Sequence, residues 1–170
     1  MTAKARAVAA REDTPGGVAA GAAFGSIHPV LVPAVVAYLA ADATIAGLVG
    51  LGVVGTPKVY TNVPQDETHP YIEVLGGEEV PWAIALDRTQ GIDAELLVRM
   101  WSAHRGTGEV DGLAGAVLLA LRDVVFPLPP WPTVMPVKWL ANQRPNWEPE
   151  PKSGAGPARQ RTMVFRVRAR

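Results

Sequence analysis

Apolar and polar positions recur along the chain at helical spacing in two main segments. From Val30 to Ala41 the large apolar residues fall close to one face of a helix. Asp42 follows as the N-cap of a second, short turn, Ala43–Val49, and Gly50 and Gly52 end it, as glycine commonly does at helix C-termini. The other main helix is predicted over Glu109–Val125, where the apolar residues form one stripe. The pattern therefore predicts two main helices, the first followed by a short capped turn.

Strands are predicted in the intervals between the helices. The clearest one runs from Ile92 to Trp101, where apolar residues alternate with polar ones. The same alternation returns in the last segment, Arg159–Arg170, and shorter strands are predicted at Lys58–Asn62, Pro70–Leu75 and Val137–Asn142. Strands clustered between single helices predict an α+β fold, with a mostly antiparallel sheet of four to five strands and two main helices packed on one face.

Three predicted loops carry large apolar side chains. Gly76–Gly91 is long for a hairpin connection, Pro127–Pro136 holds five prolines, and Trp147–Ala158 is rich in proline, glycine and charge. Aromatic residues in loops either pack onto the core of their own domain or act as anchors in protein interfaces, and the sequence leaves both interpretations open. The candidate interface residues in these loops are Trp82, Leu86, Trp131 and Trp147.

Length and composition indicate one domain with no general affinity for nucleic acid or membranes. Of the 170 residues, we expect residues 1–27 to form a flexible N-terminal arm and residues 28–170 to form a single α/β domain. The 16 Lys and Arg balance the 16 Asp and Glu, which argues against a general binder of nucleic acid or of anionic membranes. The longest apolar run, Pro29–Ala41, is shorter than the ~20 residues of a membrane span. The absence of cysteine excludes disulfides and thiol chemistry.

One glycine-rich segment, Gly50–Gly55, matches the dinucleotide-binding pattern G-x-G-x-x-G. That motif requires a preceding strand and a following helix, so that the helix N-terminus meets the pyrophosphate. Here a helix precedes the glycines and a strand follows them. We therefore interpret the segment as a helix stop and a bend, and we keep nucleotide binding as the less favoured alternative.

Other residues with reactive side chains form no recognisable site. His28, His69 and His104 lie at loops or element edges, and none has a second metal ligand at the usual spacing. The adjacent carboxylates Asp66–Glu67 and Glu78–Glu79 are interpreted as solvated turns, because catalytic carboxylates face each other across a substrate. We predict no catalytic, cofactor-binding or metal-binding residue, and we do not expect an enzyme.

The C-terminal strand carries the one local excess of basic residues. Its alternation places Arg166, Arg168 and Arg170 on one face. The charge either protects a solvated or edge strand from aggregation or forms a surface for phosphates or an acidic partner. A ring of such chains would multiply the patch and favour the second interpretation.

The run from helix to strand resembles a known family. Leu39–Gly50 is followed by Lys58–Tyr60 and Val63–Pro64, then by His69–Ile72, and later by Leu97–Ser102. This order resembles the tail terminator and tail-completion proteins of long-tailed bacteriophages and gene transfer agents. The similarity is best over Val30–Val125 and looser in the last strand, and the long N-terminal arm and the proline-rich segment depart from the family pattern.

The resemblance implies a structural virion protein without catalytic residues or cofactors. Members of such a family would form a homohexameric ring at the head-proximal end of the tail, terminate growth of the tail tube and join the tail to the head connector. The implied partners are further copies of the chain, the major tail tube protein, a head-completion or stopper protein of the connector, and genome DNA that passes through the lumen without sequence recognition. Assembly would take place in the host cytoplasm. The alternative within the same class is a head-completion or stopper protein of the neck.

Overall fold

The computed structural model describes residues 26–83, 90–104, 106–129, 131, 134–142, 146–149 and 157–170. These residues form three helices and six strands. The helices are α1 (His28–Ala41), α2 (Ala43–Val49) and α3 (Gly108–Leu121). The strands are β1 (Val59–Tyr60), β2 (Tyr71–Ala83), β3 (Gln90–Ser102), β4 (Lys138–Asn142), β5 (Asn146–Pro149) and β6 (Pro157–Ala169).

The six strands form one mixed sheet in the order β1-β2-β3-β6-β4. Strand β1 runs parallel to β2, and the remaining pairs are antiparallel. Strand β5 also pairs with β6, on the residues that β4 leaves free. The predicted α+β class with a mostly antiparallel sheet is confirmed. The sheet has six strands and not the expected four to five. The additional strand, β5, lies at the start of a proline-rich segment that the sequence indicated as a loop.

Strands β2 and β3 form a much longer hairpin than the sequence indicated. Pairing runs from Tyr71 opposite Trp101 to Ala83 opposite Gln90, with a bulge between Gly76 and Glu79. The predicted long loop Gly76–Gly91 is therefore wrong for most of its length. The bulge breaks the alternation of polarity, and the two glycines and two glutamates beside it resemble a turn in the sequence.

The core lies between one face of the sheet and the helices. Strand β3 points Ala94, Leu96, Val98 and Met100 to this face, as its alternation predicts. Strand β6 contributes its own alternate residues, and α1 and α3 bury their apolar stripes against them. The largest side chains with no appreciable exposure in this layer include Leu31, Leu39, Leu96, Leu113, Met163 and Phe165.

Both ends of α2 follow the sequence prediction. The Oδ1 atom of Asp42 accepts hydrogen bonds from the amides of Thr44 and Ile45, each at 2.9 Å, which satisfies donors that a helix N-terminus leaves free. Gly50 caps the other end with a φ of +70°, a conformation that glycine adopts without strain. Helix α3 ends at Leu121, four residues before its predicted end, because Arg122 adopts an extended backbone conformation and Asp123 takes a φ of +60°.

Two residues before α1 contact the rest of the described structure. Ile27 is fully buried in the core, and Ser26 donates a hydrogen bond to Glu79 at 2.8 Å. Residues 1–25 lie outside the described residues, and the arm stays a prediction. Among the described helices, none alone is long and apolar enough to span a membrane, while α1 and α2 pass that test as a pair bent by 84°.

Candidate interaction surfaces

Arg166 and Arg168 lie on the face of the sheet opposite the core. They stand directly across from Glu95 and Asp93 of β3. The Nε atoms of Arg166 and Arg168 lie 3.2 and 3.0 Å from the two carboxylate oxygens of Asp93, and Arg166 also approaches Glu95 at 3.9 Å. Ion pairs between β6 and β3 therefore run across the basic face. Arg170 follows the last residue of β6 and is exposed.

The position of β6 changes one interpretation of this face. Strand β6 lies between β3 on one side and β4 and β5 on the other, so it is an interior strand. Protection of a free sheet edge therefore cannot explain its arginines, because such protection is needed only where backbone groups are unpaired. A partner-binding role for Arg166, Arg168 and Arg170 stays a prediction.

The four candidate interface residues occupy different environments. Trp131 is only 6% exposed and belongs to the main core, so packing within its own domain is what the structure shows for it. The backbone of Trp82 pairs with Gly91 in the β2–β3 hairpin, and that of Trp147 pairs with Arg159 of β6. Their side chains, and the whole of Leu86, lie outside the described residues. An interface role for these four residues stays a prediction.

A buried polar cluster joins β1 to the turn before β2. Glu67, 4% exposed, accepts hydrogen bonds from Tyr60 Oη, from the Val53 amide at 3.3 Å and from the Thr68 amide at 3.0 Å. The Nζ atom of Lys58 lies 3.8 Å from its carboxylate and donates to Thr68 Oγ1 at 2.8 Å. Because these buried groups satisfy one another, the cluster fixes the local backbone.

The cluster shifts the pKa values of its members. Burial alone would raise the pKa of Glu67, but the hydrogen bonds from Tyr60, Val53 and Thr68, together with the charge of Lys58, outweigh it, and the pKa of Glu67 is lowered. Burial raises the pKa of Tyr60, and its hydrogen bond to the Glu67 carboxylate and the charge of that carboxylate raise it further. Glu67 is therefore an ionised acceptor and Tyr60 a neutral donor at neutral pH.

The glycine-rich segment is a hairpin that leads into β1. The amide of Gly52 donates a hydrogen bond to the carbonyl of Thr56 at 2.8 Å, Gly55 turns the chain with a φ of +74°, and Leu51 bridges to Pro57. Gly52 also lies against the polar cluster, where a side chain would collide with Tyr60. Backbone conformation and packing therefore explain the glycines. A helix precedes them and a strand follows them, which is the reverse of the order in the dinucleotide motif.

We expect the substitution Gly52→Ala to lower the free energy of unfolding by about 1–3 kcal/mol, the usual range for overpacking. An added Cβ would lie 1.9 Å from Tyr60 Oη and 2.5 Å from Glu67 Oε2, so the cluster would have to shift. Chemical denaturation measures the change. Gly47→Ala is the matched control, since nothing lies within 4 Å of its Cβ and alanine favours a helix. Equal stability of the two variants would contradict the packing role of Gly52.

The tip of this hairpin is apolar and exposed. Leu51 and Val54 are each 68% exposed, and Val53 between them is 60% exposed. We call residues 51–54 the apolar tip. Contiguous exposed apolar residues on a small domain commonly mark an interaction site.

A groove lies at the opposite edge of the sheet, beside β4. Its volume is about 370 Å³, and it is lined by the apolar Met135, Pro136 and Leu140 and by the basic Lys138, Arg166 and Arg168. We call it the β4 groove. A second cavity of about 460 Å³ lies on the helix side of the same strand, between Leu118 and Trp139.

One histidine and one member of each carboxylate pair have structural roles. Glu79 accepts hydrogen bonds from the amides of Ile27 and His28 at 2.9 and 3.0 Å, so it caps α1 from strand β2. His28 packs over Gly76 and bonds the carbonyl of Glu95 at 2.8 Å. The prediction that Glu67 and Glu79 are solvated turn residues is therefore wrong. No group of three His, Cys, Asp or Glu within the described ranges is arranged to hold a metal.

Comparison with known proteins identifies the class. The family model described as tail completion protein gp17 matches residues 33–167. One solved structure, a chain from the virion of a native gene transfer agent particle, shares the fold with a TM-score of 0.63 at 23% identity, covering 86% of this chain and 98% of that chain. No curated protein matches the sequence.

The chain belongs to the tail completion protein gp17 family, since the family model spans most of its length. It is therefore a structural protein of a phage-type tail and a component of the virion. This confirms the family that the run from Leu39 to Tyr71 indicated.

Proposed function

We propose that the protein forms a homohexameric ring at the head-proximal end of a phage-type tail, where it ends growth of the tail tube and joins the tail to the head connector. The observation that carries the proposal is the family match over residues 33–167. The shared fold with a gene transfer agent virion chain supports it, because that chain is covered almost completely.

The architecture is suited to a ring. A ring requires a heterologous contact, in which two different surfaces of the chain meet and the rotation closes. The sheet offers two unlike edges, β1 with its hairpin and β4 with its groove. Each ring would contact the major tail tube protein below and a head-completion or stopper protein above, after assembly in the host cytoplasm.

Genome DNA would pass through the lumen without sequence recognition. The balanced total charge gives no general affinity for DNA, and the ion pairs of Arg166 and Arg168 with β3 already neutralise part of the basic face. A lumen of moderate positive charge would guide the phosphate backbone without retaining it.

Deletion of the gene from its phage or gene transfer agent tests this function. We expect DNA-filled heads, and tail tubes that are unattached and of uncontrolled length, in electron micrographs of the lysate. Expression of the intact gene in trans should restore joined particles.

Two other outcomes would overturn the proposal. Joined particles with tails of normal length would show that the protein does not complete the tail. Tails of normal length together with heads that have lost their DNA would indicate the alternative, a stopper protein of the neck.

A further inference from the structure

The outer face of α1 is exposed to solvent although it is apolar. The helix buries its other side, which includes Leu31, Val35 and Leu39, in the core. A helix at the surface of a domain normally carries polar and charged side chains toward solvent. On α1 that side has no charged residue, and the hydroxyl of Tyr38 is its only polar side-chain group. We call this surface the α1 outer face; its exposed residues are Val30, Pro33, Ala37, Tyr38 and Ala41.

The lack of charge extends on both sides of α1 in the sequence. Between Thr14 and Pro57 the only Asp, Glu, Lys or Arg is Asp42, whose carboxylate is occupied as the N-cap of α2. An exposed apolar surface on a small domain commonly marks a contact. The composition therefore indicates that another segment covers the α1 outer face.

The start of α1 is fixed to the sheet, and this places the preceding residues beside the α1 outer face. The hydroxyl of Ser26 donates to Glu79 at 2.8 Å, and Ile27 is fully buried. Residues 1–25 are thus attached about one helical turn before Val30, the first exposed residue of the face. A segment on so short a connection has an effective concentration in the millimolar range at its target, which favours contact within one chain over contact between copies.

The residues directly before Ser26 match the face in chemistry and in length. Residues 16–25 have no polar side chain. The 14 residues of α1 rise ~21 Å at ~1.5 Å per residue. An extended chain advances ~3.3 Å per residue, so about seven residues span that length. In an extended conformation alternate side chains point to one side, and on one side of this segment they are Val18, Ala20, Ala22 and Phe24.

We propose that residues 16–25 fold back along α1 and cover the α1 outer face of the same chain, with Phe24 beside Val30 and Val18 toward Ala41. Gly25 stands where the chain has to reverse, and glycine adopts turn conformations most readily. The contact removes apolar surface of both segments from water. The family model begins at residue 33, so this contact goes beyond the proposed function.

Limited proteolysis of the full-length protein with chymotrypsin tests the contact. Phe24 is the only aromatic residue before Tyr38, so cleavage after it releases a defined fragment that mass spectrometry quantifies over time. Cleavage follows the population of the open segment. The substitution Ala37→Lys puts a charge in the middle of the α1 outer face. We expect it to speed cleavage after Phe24 by about tenfold, which corresponds to about 1.4 kcal/mol.

Matched variants separate loss of the contact from other effects of a new charge. Thr44→Lys makes the same addition at an exposed position of α2, outside the α1 outer face, and it should leave the cleavage rate unchanged. Ala20→Asp places the charge on the segment and should act as Ala37→Lys does. Thr14→Asp, before the apolar residues, should have no effect. Circular dichroism checks that each variant is folded, and Ala20→Asp decides if Ala37→Lys is not.

Three results would overturn the proposal. The first is equal cleavage after Phe24 in the unmodified protein, Ala37→Lys and Ala20→Asp. The second is protection of Phe24 that disappears on dilution, which would mean that the segment of a neighbouring copy covers the face. The third is a lower oligomer mass of Ala37→Lys in native mass spectrometry at an unchanged cleavage rate, which would assign the face to a second copy of the domain.

Discussion

Replacing Trp131 by alanine is expected to lower the free energy of unfolding by about 3–5 kcal/mol, the usual range for a buried aromatic residue. Trp131 is 6% exposed and packs with the main core, and its amide donates to the carbonyl of Leu128 at 2.7 Å. Truncation leaves a cavity in the core, and the surrounding side chains relax only partially to fill it. Equilibrium unfolding in denaturant measures the loss.

Trp139→Ala is the matched control, because it makes the same truncation at a tryptophan that is 49% exposed. We expect its free energy of unfolding to fall by less than about 1 kcal/mol, as surface substitutions commonly do. If Trp131→Ala is as stable as Trp139→Ala, Trp131 does not belong to the core. If it then fails to assemble, Trp131 acts as an interface anchor, which is the other of the two interpretations that the sequence left open.

The substitution Glu67→Gln is expected to destabilise the protein by about 3–5 kcal/mol at neutral pH, because it leaves Lys58 buried without its counter-charge. The effect should depend on pH with a definite sign. The folded protein lowers the pKa of Glu67 below its ordinary 4.5, since hydrogen bonds and Lys58 outweigh the burial that would raise it. The stability from the carboxylate is then complete above that ordinary value and is lost as the pH falls through the folded pKa.

Unfolding free energies of the natural protein and Glu67→Gln, measured from pH 7 down to pH 3, should therefore converge in acid. Asp66→Asn is the control, because Asp66 is the exposed neighbour of Glu67. We expect it to follow the natural protein at every pH. A constant gap between the natural protein and Glu67→Gln across this range would contradict the assigned role of the carboxylate.

Regular alternation and clear end signals made much of the fold predictable from the sequence. The faces of β3, the N-cap at Asp42 and the cap at Gly50 follow from local rules that need no knowledge of the rest of the chain. The family resemblance also lay in this regular part, between Leu39 and Tyr71.

The features that escaped prediction depend on contacts between distant residues. Glu79 resembles a solvated turn residue in the sequence, yet the bulge in β2 turns it toward the N-terminus of α1, more than 50 residues away. Glu67 is buried only because Tyr60, Lys58 and the hairpin surround it. The sequence left open whether Trp131 packs onto the core or anchors an interface, and the fold places it in the core.

The candidate surfaces were also hidden for a physical reason. The glycine run drew attention as a possible nucleotide motif, but its significance lies in the exposed apolar residues between the glycines. Exposure is a property of the folded chain, since Leu51 and Val54 have the same chemistry as core residues.

A cryo-electron microscopy reconstruction of the neck of the assembled particle is the most direct test of the central claim. The account predicts a single ring of six copies of the 18.0 kDa chain between the last ring of the tail tube and the head connector. Finding the chain at the distal end of the tail, or in the head connector without contact to the tube, would contradict it.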